Sequence, residues 1–501
     1  MFVGLKYTKG GRGGNLLLDN MNRLNISIGK IACFLLANIL MAAPIIYQAY
    51  INKLFVFDES YYFIASYELG ENGRFFIKFD PSSQLLNTKP YLFVFIQILF
   101  AKLFGWNEWS LRLPTIVSSI TLLWMIYFFI KRTFENAVWA VSSVMVLLVL
   151  PYFVHPHMAF TGDHDVPLTM LLTGYVLAFF LFLTEIDIGK QNRYILFACL
   201  FATASILTKG WMILFFMPPS LFFLLVYMKF NALISNKFFW LGVITSIAFV
   251  AAWYVGREYL DPGYLKAFWK YEIGRFRTDK YAENPEWSYY WKMLFFVQLK
   301  YWLLAAIPAV YFLFKGEFNS NKKFVVYVGV MALAFLSVLS FSKLKLMWYD
   351  APVFPLIAIV LGYGIAMHVK YISTWLSIKT TIVIGILLLG LFLYPYLQIF
   401  NRSFNRFHKE TYGDYIMTKQ SNVSYTVVYP KYNPHLLFYA NYAKGAFNQS
   451  LVLKKGGATL QKGEKVLICE QVLLKEINKK FEYVLKDSLG NCVFIEIEKS
   501  R

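Results

Sequence analysis

Asp58 and Glu59 stand side by side just past a hydrophobic stretch at residues 31–51. An acidic pair placed where a chain leaves a membrane costs desolvation energy unless it has partners or a task. The pair therefore reads first as a reaction centre with Asp58 as proton acceptor, and second as a helix cap or a solvated loop acid. Farther along stand basic residues that raise the same question: Lys89, Lys209, Arg275, Arg277, Lys343 and Lys345. Arginine and lysine donate charge-assisted hydrogen bonds to phosphate oxygens, so a cluster of them beside acyl chains suits a lipid-linked phosphate. Any one alone reads equally well as a side chain snorkelling to lipid headgroups. Asp163 and Asp165, in GDHDVPL (162–168), add a second acidic loop. An N-cap to a helix starting near Val166 is the plain alternative for them.

These groups can act together only if the elements carrying them bring them to one side of a membrane. Hydrophobic residues make up 58% of the 501 and charged residues only 16%, against an apolar share of about 45–50% in soluble domains. The chain is therefore expected to be an all-α polytopic membrane protein. Its net charge of +20, from 49 Lys and Arg against 29 Asp and Glu, fits anchoring of cytoplasmic loops. No basic helix or recognition motif points to nucleic acid. A spanning helix needs roughly 20 apolar residues, which gives about eleven spans. They fall near 31–51, 112–130, 138–155, 166–184, 194–208, 211–228, 238–255, 293–314, 324–341, 351–369 and 378–399. PYLFVFIQILFAKLF (90–104) is short for a span and reads as an amphipathic helix in the interface. With that choice Lys131-Arg132, Lys190, Arg193, Lys229, Lys237, Lys322 and Lys323 all collect on the inner side, as the positive-inside rule asks. The outer side then holds 52–111, 156–165, 256–292, 342–350 and everything after 400.

The order of several short motifs resembles a known family. FDESYYFIASYELGENG (57–73), NTKPYLFVFIQILFAKLFG (87–105) and RLP (112–114) are followed by GDHDVPLTMLL (162–172) and LTKG (207–210). GRFRTDKYAENPEWSYY (274–290) and SKLKLMWYDAPVFPLIAIVLG (342–362) complete the series. Together they are similar to polyprenyl-phosphate-sugar-dependent glycosyltransferases of the GT-C fold, in the branch of lipid A aminoarabinose transferases and protein O-mannosyltransferase-like proteins.

The resemblance implies a GT-C-like fold and an integral membrane glycosyltransferase. Its donor would be a polyprenyl-phosphate-linked sugar of the undecaprenyl type. Its acceptor would be a hydroxyl or phosphate on a cell-envelope glycolipid, polysaccharide or protein. By position Asp58 falls on the family's catalytic carboxylate, Glu59 on its acidic neighbour and Tyr62 on the tyrosine that follows, although Tyr61 stands where a basic residue is common. Lys89 matches the lysine that meets the polyprenyl phosphate. Asp165 matches the acid of the second loop, with Asp163 as alternate. Lys209 fits the Lys of Thr-Lys-Gly, Arg275 the arginine of a mobile loop with Arg277 as rival, and Tyr349 the tyrosine after the Lys-x-Lys stretch that contains Lys345. Glycosyl transfer from a lipid phosphate needs a base on the acceptor and cations on the departing phosphate. Asp58 would be the base, Lys89 and Arg275 the phosphate ligands, and Lys209 a partner of the carboxylates. Inversion at the anomeric carbon follows from the same resemblance. A bacterial inner membrane with the site on its outer face is the expected setting. A lipid-sugar flippase or an oligosaccharide ligase remains the alternative, although a transporter should show inverted repeats and midplane charges.

His155, His157, His164 and the two nearby aspartates have the side-chain types of a divalent metal site. Type without geometry is weak, so no cofactor and no metal ligand is assigned, and a divalent cation stays open. Residues 1–30, with GGRGGNLLLDN (10–20), are too polar for a signal peptide and read as a loose cytoplasmic tail. Residues 31–399 form the membrane domain. In 400–501 the long apolar runs stop. SYTVVYP (424–430), EKVLICE (464–470) and NCVFIEIE (491–498) alternate as strands, while PHLLFYANYA (434–443) and VLLKEINKKF (472–481) have helical spacing. This reads as a small extracytoplasmic α/β domain in which Cys469 and Cys492 could pair.

Overall fold

The computed structural model describes residues 13–52, 54, 58–74, 88–274, 286–300, 302–374, 390–404, 412–419, 423–430, 434–456 and 460–501. Arg275 and Arg277 lie outside the described residues.

Up to Phe400 the described chain is built from helices. The first seven are α1 (Gly13–Ile51), α2 (Asp58–Asn72), α3 (Leu92–Phe104), α4 (Glu108–Thr133), α5 (Ala137–Val149), α6 (Asp165–Thr184) and α7 (Ile188–Lys209). A 3-10 turn (Trp211–Phe216) leads into α8 (Met217–Val226), followed by α9 (Phe230–Ile234), α10 (Lys237–Leu260) and α11 (Tyr264–Phe268). Then come α12 (Tyr289–Lys292), α13 (Leu303–Phe314), α14 (Ser320–Ser340), α15 (Phe354–Ser373) and α16 (Gly390–Phe400). Polar residues between the apolar runs start these helices. Asn107 and Ser110 form a reciprocal capping box on α4, and Asn136, Asp187, Asn236 and Asn319 cap α5, α7, α10 and α14. Each side-chain oxygen takes a backbone N–H that the first helical turn would otherwise leave without a partner, which a membrane edge tolerates poorly.

The chain is a polytopic membrane protein, but the count of eleven spans is not confirmed. Among the described residues six helices are long and apolar enough to cross: Ala32–Ile51 of α1, then α4, α6, α10, α14 and Ala351–Ser373. Tyr289–Gln298 with Leu303–Phe314 makes a seventh only if the bent pair is one broken span. α5, expected as a full span over 138–155, stops after 13 residues, roughly 20 Å against a hydrocarbon core of about 30 Å. α7 has the length but carries Lys190 and Arg193 at one end and Lys209 at the other. The 378–399 span lies partly outside the described residues. α3 is also 13 residues long, in keeping with a helix that does not cross. α1 begins at Gly13, so part of the segment expected to be a loose tail is helical.

Among the described residues after 400 the chain forms a five-stranded mixed sheet with three helices. In chain order these are α17 (Tyr412–Thr418), β1 (Tyr425–Tyr429), α18 (Pro434–Phe447), β2 (Leu451–Lys455), β3 (Lys465–Ile468), α19 (Gln471–Lys480), β4 (Phe481–Leu489) and β5 (Cys492–Ser500). Strand order is β2-β1-β3-β5-β4, with β1 parallel to β2 and β3, and β5 antiparallel to β3 and β4. Cys469 and Cys492 are disulfide-bonded where β3 ends and β5 begins. α19 packs on one face of the sheet. On the other face α17 and α18 share a core with α2 and α3 of the membrane domain, where Phe63 meets Phe438 at 5.4 Å. Polar contacts reinforce this joint. The Tyr67 hydroxyl donates to the Asn441 carbonyl at 3.0 Å, the Asn441 amide donates to Glu68 at 3.0 Å, and the Tyr439 hydroxyl bonds Glu108.

Candidate active site

α2 opens with two carboxylates whose surroundings differ. Successive side chains point about 100° apart around a helix, so Asp58 faces an opening with its side chain 43% exposed, while Glu59 is fully buried. Glu59 accepts Arg112 Nε at 2.7 Å, Arg112 Nη2 at 2.9 Å and the Gly162 backbone N–H at 2.7 Å. Arg112 Nη1 continues to the carbonyls of Ala49 and Asn52 at 2.8 and 2.7 Å. This bidentate pair joins α1, α2, α4 and the loop before α6. Gly162 is needed for it, since a Cβ there would stand 2.2 Å from the Phe63 ring. The sequence reading put Glu59 in the reaction centre; its carboxylate is instead enclosed and used by Arg112 and Gly162, which makes it a clamp.

Asp165 opens α6 and Lys209 closes α7, and the two form a buried ion pair. The Lys209 ammonium also lies 5.3 Å from the Tyr349 ring centroid, a cation–π contact. Gly210, at φ +112°, ends α7 in a conformation that strains any residue with a Cβ, which gives the Thr-Lys-Gly order a backbone reason. Lys89 pairs with Glu272, which also accepts from Thr88 Oγ1 at 2.6 Å. The Tyr264 hydroxyl donates to the Thr88 carbonyl at 2.9 Å. Glu272 was not singled out from the sequence; the signal available was an acid alone among the basic and aromatic residues of WKYEIGRFR.

Asp163 is buried, accepts from Thr161 Oγ1 at 2.7 Å and faces the His157 imidazole. Burial would raise it, but His157 and the Thr161 hydroxyl outweigh that and hold its carboxyl below the usual carboxylate range. Tyr62, one turn after Asp58, packs edge-on against His164 with ring centroids 3.8 Å apart. Burial and then the charges of Asp58, Asp163, Asp165 and Glu272 push its phenol well above the ordinary range, so it remains a hydrogen-bond donor. The acids of three separate segments thus converge on one tyrosine. Lys89, Lys209, Gly210, Glu272 and Tyr349 line a cavity of about 300 Å³. Leu214 is shared between it and an apolar cavity of about 1040 Å³ among α6 to α10.

Lys345 departs from its reading as a phosphate ligand. It is buried, and its ammonium is taken by the carbonyls of Ser340 and Ser342 at the end of α14, where the helix dipole favours a cation. The histidines do not gather. His155 lies against Tyr152 and Phe404, and His164 against Tyr62 and Phe93. Burial first, joined by nearby positive charge, pulls His155 down to about 4 and His164 well below its usual value, so both are neutral. Among the described residues no group of three His, Cys, Asp or Glu side chains is arranged to hold a metal ion.

Residues 88–255 match the family model described as dolichyl-phosphate-mannose-protein mannosyltransferase. The undecaprenyl phosphate-alpha-4-amino-4-deoxy-L-arabinose arabinosyl transferase of Shewanella sediminis is 26% identical over 279 residues, which cover 55% of this chain and 50% of that protein. The corresponding transferase 1 of Proteus mirabilis is 25% identical over 290 residues, covering 55% and 49%. The chain therefore spans about half the length of the curated relatives it matches. In fold it is similar to the crystal structure of ArnT from Cupriavidus metallidurans bound to undecaprenyl phosphate, with a TM-score of 0.68 at 14% identity over 93% of this chain and 98% of that one. The likeness to polyprenyl-phosphate-dependent GT-C glycosyltransferases read in the motifs is borne out, and the fold is ArnT-like.

Proposed function

We propose that this chain is an integral membrane glycosyltransferase that moves a sugar from a polyprenyl-phosphate donor to a hydroxyl or phosphate of a cell-envelope glycolipid. The observation that carries the reading is a cavity lined by the paired lysines Lys89 and Lys209, with the open carboxylate Asp58 close enough to favour the charged form of Lys209. The named activity of the arabinosyl transferases and the undecaprenyl phosphate bound by the ArnT crystal structure favour the donor class. The setting would be a bacterial inner membrane with the cavity on its outer face.

In the reaction Asp58 takes the proton of the acceptor hydroxyl as its oxygen bonds to the anomeric carbon. The bond from that carbon to the phosphate oxygen breaks, and its electron pair stays on the phosphate. Lys89 and Lys209, each held against a carboxylate in the free protein, turn toward the departing phosphate as its charge develops. Tyr62, kept protonated, donates a hydrogen bond at the same place. Displacement by one base from the side opposite the leaving group inverts the anomeric centre. The apolar cavity next to Leu214 is the natural course for the prenyl chain, because a hydrocarbon tail gains from every Å² removed from water. Arg275 and Arg277 remain candidates for the phosphate. A divalent cation at the carboxylates remains open and is tested by dialysis against chelator followed by assay.

The test is transfer in proteoliposomes, with a labelled polyprenyl phosphosugar and a lipid acceptor. Donor-dependent release of polyprenyl phosphate, coupled to labelling of the acceptor and lost in Asp58→Asn, is the expected result. Full transfer by Asp58→Asn would remove Asp58 as the base, and movement of intact donor across the bilayer without transfer would make the protein a flippase.

A further inference from the structure

His157 has no part in the reaction as derived so far, yet it occupies the junction of the three outer segments. Its Nδ1 lies 3.6 Å from Asp58 Oδ2 and 3.7 Å from Asp163 Oδ2, between an exposed carboxylate and a buried one. Its ring stacks on Trp348, centroids 3.8 Å apart and planes 13° from parallel, in the loop that also carries Tyr349. Its backbone is held at φ +65°, an uncommon conformation outside glycine and one that persists where the surroundings enforce it. A residue placed to satisfy only its own polarity would not need such a backbone.

The charges around it identify the task. Asp165 is balanced by Lys209 and Glu272 by Lys89, whereas among the described residues the cationic group within 4 Å of both Asp58 and Asp163 is His157. Resting on the glycosyltransferase reading, we propose that His157 is a positioning residue, acting as a fixed imidazolium that offsets Asp58 and Asp163 so that a phosphodiester anion can enter beside them. The indole face of Trp348 holds that cation in place. The groups facing it are Asp58 from α2, Asp163 from its own loop and Asp165 from α6, while His155 two residues away is neutral. Burial works against the charged ring, but Asp163 and then Asp58 outweigh it and hold His157 up to about 9. The cation is therefore present at neutral pH and is lost above about 9.

The phosphodiester of a polyprenyl phosphosugar does not titrate near neutrality, so an alkaline change in donor KM reports on the protein. Donor KM of the reconstituted wild type is expected to rise on the alkaline side with an apparent pKa near 9. His157→Asn, which keeps a residue tolerant of positive φ, should raise donor KM by roughly tenfold to a hundredfold at pH 7, abolish the alkaline step and change kcat less. His157→Lys should recover part of the donor KM and move the step to higher pH. Trp348→Leu, which leaves the imidazole but removes its support, should give an intermediate KM and serves if the His157 variants fold poorly. An unchanged donor KM and pH profile in His157→Asn overturns the proposal. So does a Mn²⁺ or Mg²⁺ requirement, revealed after chelation, that disappears with His157, because the imidazole would then be a metal ligand. Movement of intact donor across the bilayer without transfer instead ends the glycosyltransferase reading itself, whatever His157 does.

Discussion

The clamp at Glu59 and the opening at Asp58 are made from neighbouring residues of one helical turn, and they use charge in opposite ways. At Glu59 both carboxylate oxygens are held by a guanidinium and one also accepts a backbone N–H. That arrangement fixes where α2 starts. At Asp58 an imidazole lies at 3.6 Å and the side chain is 43% exposed, so the carboxylate can exchange a proton with something that enters. The first acid is rigid because it is satisfied; the second is reactive because it is not. The clamp also reaches outward, since Glu108 lies 3.9 Å from Arg112 and accepts the Tyr439 hydroxyl of the C-terminal domain.

Substitutions can break this contrast, and the largest effect should come from the clamp. Glu59→Ala leaves Arg112 buried without its partner, at a cost of about 3–5 kcal/mol. It should appear as loss of folded protein or a large fall in Tm in detergent; a normal Tm would show that the pair anchors nothing. Asp58→Asn should reverse the signature, lowering turnover roughly 10²- to 10⁴-fold while Tm stays near that of the wild type. A smaller effect is expected at Lys89, whose charge-assisted bonds are worth about 1.5–3 kcal/mol. Lys89→Gln should raise donor KM roughly tenfold to a hundredfold with the fold intact, as measured by initial rates against donor concentration.

The mildest test uses pH. His157 has a folded-state pKa raised to about 9 from a free value of about 6.5, so its ion pairing stabilises fully below about 6.5 and is lost as pH rises through 9. Wild-type Tm should fall across that window, and His157→Asn should lack the slope. A flat wild-type curve would mean that the imidazole is not ion-paired.

Much of this architecture could be read from residues near one another in the chain. The apolar runs marked α1, α4, α6, α10, α14 and α15. Motif order pointed to Asp58, Asp165, Lys89, Lys209 and Tyr349; in the structure Lys209 pairs with Asp165, Lys89, Lys209 and Tyr349 line one cavity, and Asp58 lies beside His157. In the C-terminal domain β1, β3 and β5 were legible because their apolar alternation is strong. β2 and β4 were not, since much of their length is partly or fully exposed and their sequences carry charge. The spans that the structure does not confirm come from reading every apolar run as straight and full length, whereas α5 stops short and the 211–226 run begins as a 3-10 turn.

Hydropathy, caps and the glycine at 210 are local properties, settled by each residue's transfer free energy and backbone freedom, and so the sequence alone determined a polytopic helical chain with acidic and basic residues at the ends of its apolar runs. Which acid is open and which is locked was decided only by folding. The Glu59–Arg112 pair joins residues 53 apart, Lys89 meets Glu272 across 183, and His157 sits between Asp163 of its own loop and Asp58 of α2. Charge interactions depend on distance through space and on burial, and neither quantity exists until the helices have packed.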